Sequence, residues 1–330
     1  MDVASLTSWL ESARPDWIDP VVTDFASLRA GWESDLHRFA LTHGAGGQRT
    51  TKQLVLRLYV GDQGPDKATN EFHGMKLLGE ADYPVPQVVV VEPSDEPLGR
   101  PFMVMEFVSG DAEWGWDAVR DDAQRRSMFV ELFRELHEVD WRPFVPAADH
   151  AELAAGRAAE RTLADWKRHV DRFPLTGFGA LLGWLGERLD GLPRIEPAVV
   201  HLDYHVGNVL VGNEGSAWVV DWTQVGVSDP RFDVAWTSLL MTESQGADVV
   251  RAEYERSSGP LPGMVFFDAA AAMKRLFSIA VSLHAGPEAM GMRPEAAQLM
   301  RDQVGAIAGT YDRVRTATGV RLPSVEALLG

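Results

Sequence analysis

Ala198-Val-Val-His201-Leu-Asp203-Tyr-His205-Val-Gly207-Asn208-Val-Leu-Val-Gly212-Asn213-Glu-Gly-Ser216-Ala-Trp-Val-Val-Asp221-Trp222 is the most informative segment of this 330-residue chain. Two β-branched runs, Val209 to Val211 and Trp218 to Val220, flank the turn-rich residues Asn213 to Ser216, which predicts a hairpin closed by a four-residue loop. With Gly212 facing Ala217, that register sets Asn208 opposite Asp221, their Cα atoms roughly 4.5 to 5.5 Å apart. An amide oxygen and a carboxylate side by side are oxygen-only donors, which suit Mg²⁺ better than zinc. Asp203, five residues before Asn208, is not needed as a ligand and is placed to take a proton from a nucleophilic hydroxyl. His201, His205 and Gly207 would shape the loop.

On its own an Asp after a strand is a turn residue, and Asn-Glu-Gly-Ser is an ordinary hairpin tip. The specificity lies in the joint spacing: H-x-D-x-x-x-x-N, twelve residues, then Asp-Trp. A different chemistry reads His201, Asp203 and His205, at alternate positions, as ligands on one strand face of a metallohydrolase. That reading leaves Asn208 and Asp221 without a role.

Upstream, short β-rich runs dominate: Leu36 to Leu41, Leu54 to Val60, Val88 to Val91 and Phe102 to Phe107, separated by Gly, Pro and Asp clusters. Between the second and third, Asp66 to Leu78 places Phe72, Met75 and Leu77/Leu78 at helical spacing. A small antiparallel sheet with one helix follows. Gly44 to Lys52 is glycine-rich but lacks the Gly-Lys-Ser/Thr end of a phosphate-binding loop and precedes its strand, so it reads as a hairpin tip. Beyond residue 107 helical periodicity takes over, first in Gln124 to Val139, where Met128, Phe129, Leu132, Phe133 and Leu136 form one stripe. Further helices are expected around Ala151 to Val170, Gly179 to Leu189, Phe232 to Thr242, Phe266 to Leu283 and Glu295 to Thr316. The expected lobes are residues 1–106 and 107–330.

A mass of 36.3 kDa accommodates two lobes, and 45% hydrophobic with 24% charged residues describes an ordinary globular chain. The absence of cysteine excludes disulfides, thiolate metal sites and Cys nucleophiles. A net charge of −17 repels phosphate backbones and anionic headgroups. The N-terminus lacks a basic, apolar leader and no apolar run approaches the roughly 18 residues of a membrane span. A soluble, cytoplasmic protein with neither nucleic-acid nor membrane partners is expected. Of the 11 Trp residues, Trp114, Trp116, Trp166 and Trp236 read mainly as helix packing, with a cation or sugar platform as the competing role.

With Asp229-Pro-Arg-Phe-Asp233-Val-Ala-Trp236 added, the late segment resembles the catalytic signature of the aminoglycoside phosphotransferase and choline kinase-like family, relatives of protein kinases. The likeness extends from about residue 20 to 320, but its strong motifs occupy only Val199 to Trp236. It implies an α+β, two-lobed protein kinase-like fold: a small antiparallel β-sheet lobe with one helix and a larger, mainly helical lobe. It also implies Asp203 as catalytic base, Asn208 and Asp221 holding Mg²⁺, ATP or GTP as co-substrate, and a small-molecule hydroxyl acceptor, cationic compounds included. Asp221 stands where protein kinases carry the Asp of DFG. No APE motif follows and a helix starts near Phe232, which leaves no room for an activation loop and disfavours protein substrates.

A kinase-like site makes demands on the N-terminal half. The turn at Arg29 to Asp35 would cover phosphates with backbone amides, using a single glycine, Gly31, and Ser34. Arg57 replaces the usual strand Lys; its guanidinium can grip phosphate oxygens bidentately, and a charge inside an apolar strand is costly unless something negative meets it. Glu71, fourteen residues on, is the candidate partner, against the plainer reading of a solvated helix Glu. Phe102 to Phe107 followed by Gly110 would form the hinge, with backbone groups of Glu106 to Val108 facing the base. His137 reads as a loop brace. The competing class is a kinase-like module that binds nucleotide without turnover.

Overall fold

The alternation in Leu54-Val-Leu-Arg57-Leu-Tyr59 governs the N-terminal architecture. In the computed structural model, which describes residues 3–28, 34–110, 117–212, 215–242 and 246–330, this run ends strand β3 (Gln48–Tyr59) and is buried on both faces. Leu54, Leu56 and Leu58 pack with Phe39, Leu41, Phe102 and Val104 beneath helix α1 (Val3–Ala13), through its Leu6 and Leu10. Val55 and Tyr59 turn to the other face, where Met75 and Leu78 of helix α2 (Gly64–Glu80) cover them. Arg57 shares that second face because side chains alternate along a strand. Helix α1 was not foreseen: Leu6 and Leu10 alone are too short a stripe to declare it.

The sheet is completed by β1 (Ile18–Ser27), β2 (Ser34–Ala45), β4 (Val88–Glu92) and β5 (Phe102–Glu106), all antiparallel in the order β1-β2-β3-β5-β4. Gly46 and Gly47, with φ of 57° and 83°, close the β2–β3 hairpin, the left-handed pair a tight hairpin turn requires. The glycine-rich stretch is thus a tip, as read.

The second lobe contains α3 (Ala118–Asp121), α4 (Ala123–Glu138), α5 (His150–Ala154), α6 (Ala158–Arg172), α7 (Phe178–Gly186), α8 (Pro230–Leu240), α9 (Ala247–Ser258), α10 (Met264–Ala285), α11 (Ala296–Asp302), α12 (Val304–Thr318) and α13 (Pro323–Leu329). The helix expected over 151–170 is broken between α5 and α6, where Gly156 takes a φ of 73°. The one expected over 295–316 is likewise two, α11 and α12. Between α7 and α8 run four strands of three residues each: β6 (Ala198–Val200), β7 (Val209–Val211), β8 (Ala217–Val219) and β9 (Gly226–Ser228). β6 pairs with β9 and β7 with β8.

The β7–β8 register corrects the sequence reading by one residue. Val209 pairs with Val219 and Val211 with Ala217, and the Gly212 N–H donates to the Ser216 carbonyl at 2.8 Å. Asn208 therefore faces Val220, whose N–H reaches its carbonyl at 2.9 Å, and not Asp221. Gly215, with φ of 80°, allows the shorter loop that shifts the pairing. Asp221 lies past the strand with φ of 68°, so its direction is set by a left-handed turn and not by cross-strand pairing.

One continuous core crosses between the lobes, joining Met75 and Tyr83 to Phe133, Tyr204 and Trp222. The Val219 N–H donates to the Pro84 carbonyl at 2.8 Å, and Asp35 of β2 contacts both Arg100 (2.7 Å) and Arg293 (3.3 Å) of the far lobe's 286–294 segment. Among the described residues no helix is long and apolar enough to cross a membrane. The tightest approach is at Gly74 of α2, where a Cβ would lie 2.4 Å from Val225 Cγ1. Alanine in a helix interior ordinarily gains up to about 1 kcal/mol over glycine. Here we expect Gly74→Ala to destabilise by about 1–3 kcal/mol through overpacking. Adding Val225→Ala should recover most of the loss; thermal denaturation of the single and double variants checks both.

Candidate active site

The second face of β3 delivers Arg57 into a cluster drawn from three elements. Arg57 is 4% exposed and Glu71, one helical turn before Gly74, is 0% exposed. Arg57 Nη2 donates to Asp221 Oδ1 at 2.6 Å, and its Nε lies 3.2 Å from Glu71 Oε2. Glu71 is fixed from two further sides: its Oε2 accepts from the Tyr59 hydroxyl at 2.7 Å and its Oε1 from the Trp222 N–H at 3.0 Å. Burial alone would push the Asp221 carboxyl up, but the Arg57 charge and hydrogen bond outweigh it and hold Asp221 below the ordinary carboxylate value. Burial raises Glu71, with Arg57 opposing. The sequence pairing of Arg57 with Glu71 is what the structure brings together; Glu71 is not a solvated helix residue.

Asp203 is placed by a different scaffold. The Asp229 carboxylate caps α8 by accepting the Arg231 N–H at 3.0 Å, and buried Asp233 in the first turn accepts the N–H groups of His201 (2.7 Å) and Leu202 (2.8 Å). His137 Nε2 lies 3.3 Å from Asp233 and its Nδ1 2.7 Å from the Tyr254 hydroxyl, a brace as expected. Leu202 has φ of 57°, an unusual left-handed conformation for an apolar residue that costs roughly 1–2 kcal/mol. Asp203 then emerges with its side chain 30% exposed. Its Oδ1 accepts from Trp236 Nε1 at 3.1 Å and its Oδ2 from Asn208 Nδ2 at 3.4 Å, the same amide also reaching the Asp203 carbonyl at 2.9 Å. Burial pushes the Asp203 carboxyl up, with His205 opposing.

The metallohydrolase set does not assemble. His201 Nε2 donates to the Val220 carbonyl at 3.0 Å while its Nδ1 accepts the Asp203 N–H at 3.2 Å, so both ring nitrogens are committed within the loop. Burial lowers the pKa of the ring, with the Asp233 charge opposing. His205 Nδ1 accepts the Gly207 N–H at 3.1 Å. Asn208 and Asp221 are the residues that could hold Mg²⁺. Asn208 spends its amide nitrogen on Asp203, which turns its amide oxygen the other way, and Asp221 gives one oxygen to Arg57 and keeps a second. All are hard oxygen donors, few enough to leave positions for phosphate oxygens and water.

At the hinge, the Glu106 N–H is taken by the Gln87 carbonyl (2.8 Å) and the Phe107 N–H by the Gln53 carbonyl (2.9 Å), which leaves Val108 as the first residue past the ladder. Gly110 packs against the β7 backbone: a Cβ there would meet Leu210 Cβ at 2.9 Å. Ser34 opens β2, buried and paired with Tyr59. Gly31 lies outside the described residues. Sequence reasoning assigned no role to Asp233 or Lys274. Asp233 and Trp236 stood in the quoted motif, spaced one helical turn apart, whereas nothing around Lys274 in its alanine-rich helix marks it.

The two-lobed arrangement, with a cation on the third strand, a helix carboxylate beside it and an Asp–Asn loop under a short hairpin, is that of a protein kinase-like phosphotransferase. Residues 24–277 match the phosphotransferase enzyme family (APH), and the chain belongs to that family. Similar solved folds include a Ralstonia eutropha JMP134 protein assigned to the aminoglycoside phosphotransferases (18% identical, TM-score 0.62, covering 97% of this chain and 99% of that one). A choline/ethanolamine kinase family protein from Mesorhizobium loti is 18% identical with TM-score 0.55, covering 93% and 92%. A thermostable mutant of aminoglycoside phosphotransferase APH(4)-Ia, solved with ADP and hygromycin B, is 15% identical with TM-score 0.54, covering 98% of both chains. Acyl-CoA dehydrogenase family member 11 of Gallus gallus is 26% identical over 185 residues, 52% of this chain but only 23% of that protein. The chain thus spans about a quarter of that relative's length.

Removing Arg57 would leave Glu71 buried without its countercharge. We expect Arg57→Met to cost about 3–5 kcal/mol, and Glu71→Gln added to it to restore part of the loss; urea denaturation of the two variants measures this.

Proposed function

We propose that the protein is a Mg²⁺-dependent small-molecule kinase that moves the γ-phosphoryl group of ATP or GTP to a hydroxyl of its acceptor. The observation that supports this most directly is the convergence of Arg57, Glu71 and Asp221 from the two lobes beside a loop that presents Asp203 and Asn208. Asp203 is the catalytic base. Its raised carboxyl pKa suits a proton acceptor, and as the new O–P bond forms and the bond to the β-phosphate breaks, the acceptor's proton passes to Asp203. Asn208 and Asp221 would hold the metal, which when bound supplies charge neutralisation along the triphosphate. Arg57 binds phosphate oxygens and Glu71 fixes its direction. Ser34, at the start of β2, would contribute to the cover over the phosphates, with Gly31 assigned to it from sequence alone, and the hinge backbone from Glu106 to Val108 would face the base. The acceptor is a small-molecule hydroxyl compound, a class that includes cationic aminoglycosides.

With purified protein, we expect nucleotide turnover to require Mg²⁺ and to stop on chelation. Asp203→Asn should lower kcat about 10²–10⁴-fold while nucleotide affinity stays unchanged. Asn208→Ala and Asp221→Ala should weaken Mg-nucleotide binding itself. Binding of Mg-ATP and Mg-GTP with no turnover in the wild type would instead favour a nucleotide-binding module.

A further inference from the structure

We propose that Trp236 is a positioning residue for Asp203 and that Lys274 locks it in place; the inference rests on the reading of Asp203 as the base. Asp233 and Trp236 stand one helical turn apart on α8 and so address the same loop. Asp233 holds the loop's backbone at His201 and Leu202, whereas the Trp236 indole N–H, 3.1 Å from Asp203 Oδ1, holds the carboxylate itself. Asn208 approaches the other oxygen at 3.4 Å, so the carboxylate plane is fixed from both edges.

Lys274 on α10 braces this arrangement at two points. Its ammonium sits 4.3 Å from the Trp236 ring centroid, a cation–π contact, and Nζ donates to the Leu202 carbonyl at 3.1 Å. Leu202 is the strained residue immediately before Asp203, and both of its peptide groups are now accounted for: its N–H on Asp233 and its C=O on Lys274. A left-handed leucine persists only where its surroundings overdetermine it, and here they do so next to the proposed base.

The choice of indole is chemically apt. Trp is a donor only, so it orients one carboxylate oxygen without competing for the proton that oxygen's partner must receive. The cation is kept one layer behind the ring, where it secures the donor and the backbone. A small rotation of a catalytic group can cost roughly 10²-fold in rate, which gives such a brace a measurable consequence.

The test uses the full chain, Mg-ATP alone as probe, and ADP release with water as acceptor. Wild type and Asp203→Asn establish the Asp203-dependent turnover. Trp236→Phe, which keeps the ring and removes the donor, should lower kcat about tenfold or more while KM for Mg-ATP and the melting temperature hold. In the Asp203→Asn background the same change should have no further effect, because it acts only through that carboxylate. Lys274→Met should lower kcat in the same direction and Lys274→Arg should recover it; this pair carries the test if Trp236→Phe does not fold. A Trp236→Phe kcat within twofold of wild type, or an equal loss in both backgrounds, would overturn the inference. Absence of any Asp203-dependent turnover would instead overturn the assignment of the base, and the inference with it.

Discussion

A guanidinium cannot shed its charge inside a protein, and this constraint organises the molecule. Arg57 sits on a strand whose neighbours are apolar on both faces, so its burial requires anionic partners brought from elsewhere. One, Glu71, comes from α2; the other, Asp221, stands two residues past β8. Meeting both draws the helix against the sheet and the late hairpin up beneath it. Tyr59 and the Trp222 N–H then consume the remaining valences of Glu71, and the cluster becomes a joint between lobes. The proposed nucleotide machinery and the structural keystone are the same three side chains.

Placement of Asp203 follows a separate economy. Two non-glycine residues near the site, Leu202 and Asp221, take left-handed backbone conformations. Strain of this kind needs support, and Asp233 supplies it through two backbone N–H groups while itself lying in the first turn of a helix capped by Asp229. The Asp-Pro-Arg-Phe-Asp motif is therefore a scaffold motif. It fixes the backbone from which Asp203, the proposed base, emerges.

Much of this was legible in the sequence because its signals are local. Arg57 within an alternating strand announces an unmet charge, Glu71 lies at the helical distance to meet it, and the fixed spacing from His201 to Trp222 marks the loop. Register was legible only approximately. Asn213 to Ser216 reads as a four-residue loop, and the left-handed Gly215 that goes with the shifted pairing has no distinguishing neighbour. The expectation that Asn208 and Asp221 approach by direct cross-strand pairing failed for that reason; a left-handed turn at Asp221 sets its direction instead. Three-residue strands such as β6 and β9 are shorter than any periodicity can show, and Lys274 acts across more than seventy residues of chain, a distance no spacing rule covers.

The central claim is that Asn208 and Asp221 share one hard cation beneath the buried Arg57. Soaking crystals with Mn²⁺ and a non-hydrolysable ATP analogue, and mapping the anomalous scattering, tests it most directly. The account predicts a metal peak bounded by the Asn208 amide oxygen, the Asp221 carboxylate and phosphate oxygens. A peak held instead by His201 or His205, or no ordered metal with the nucleotide in place, would contradict it.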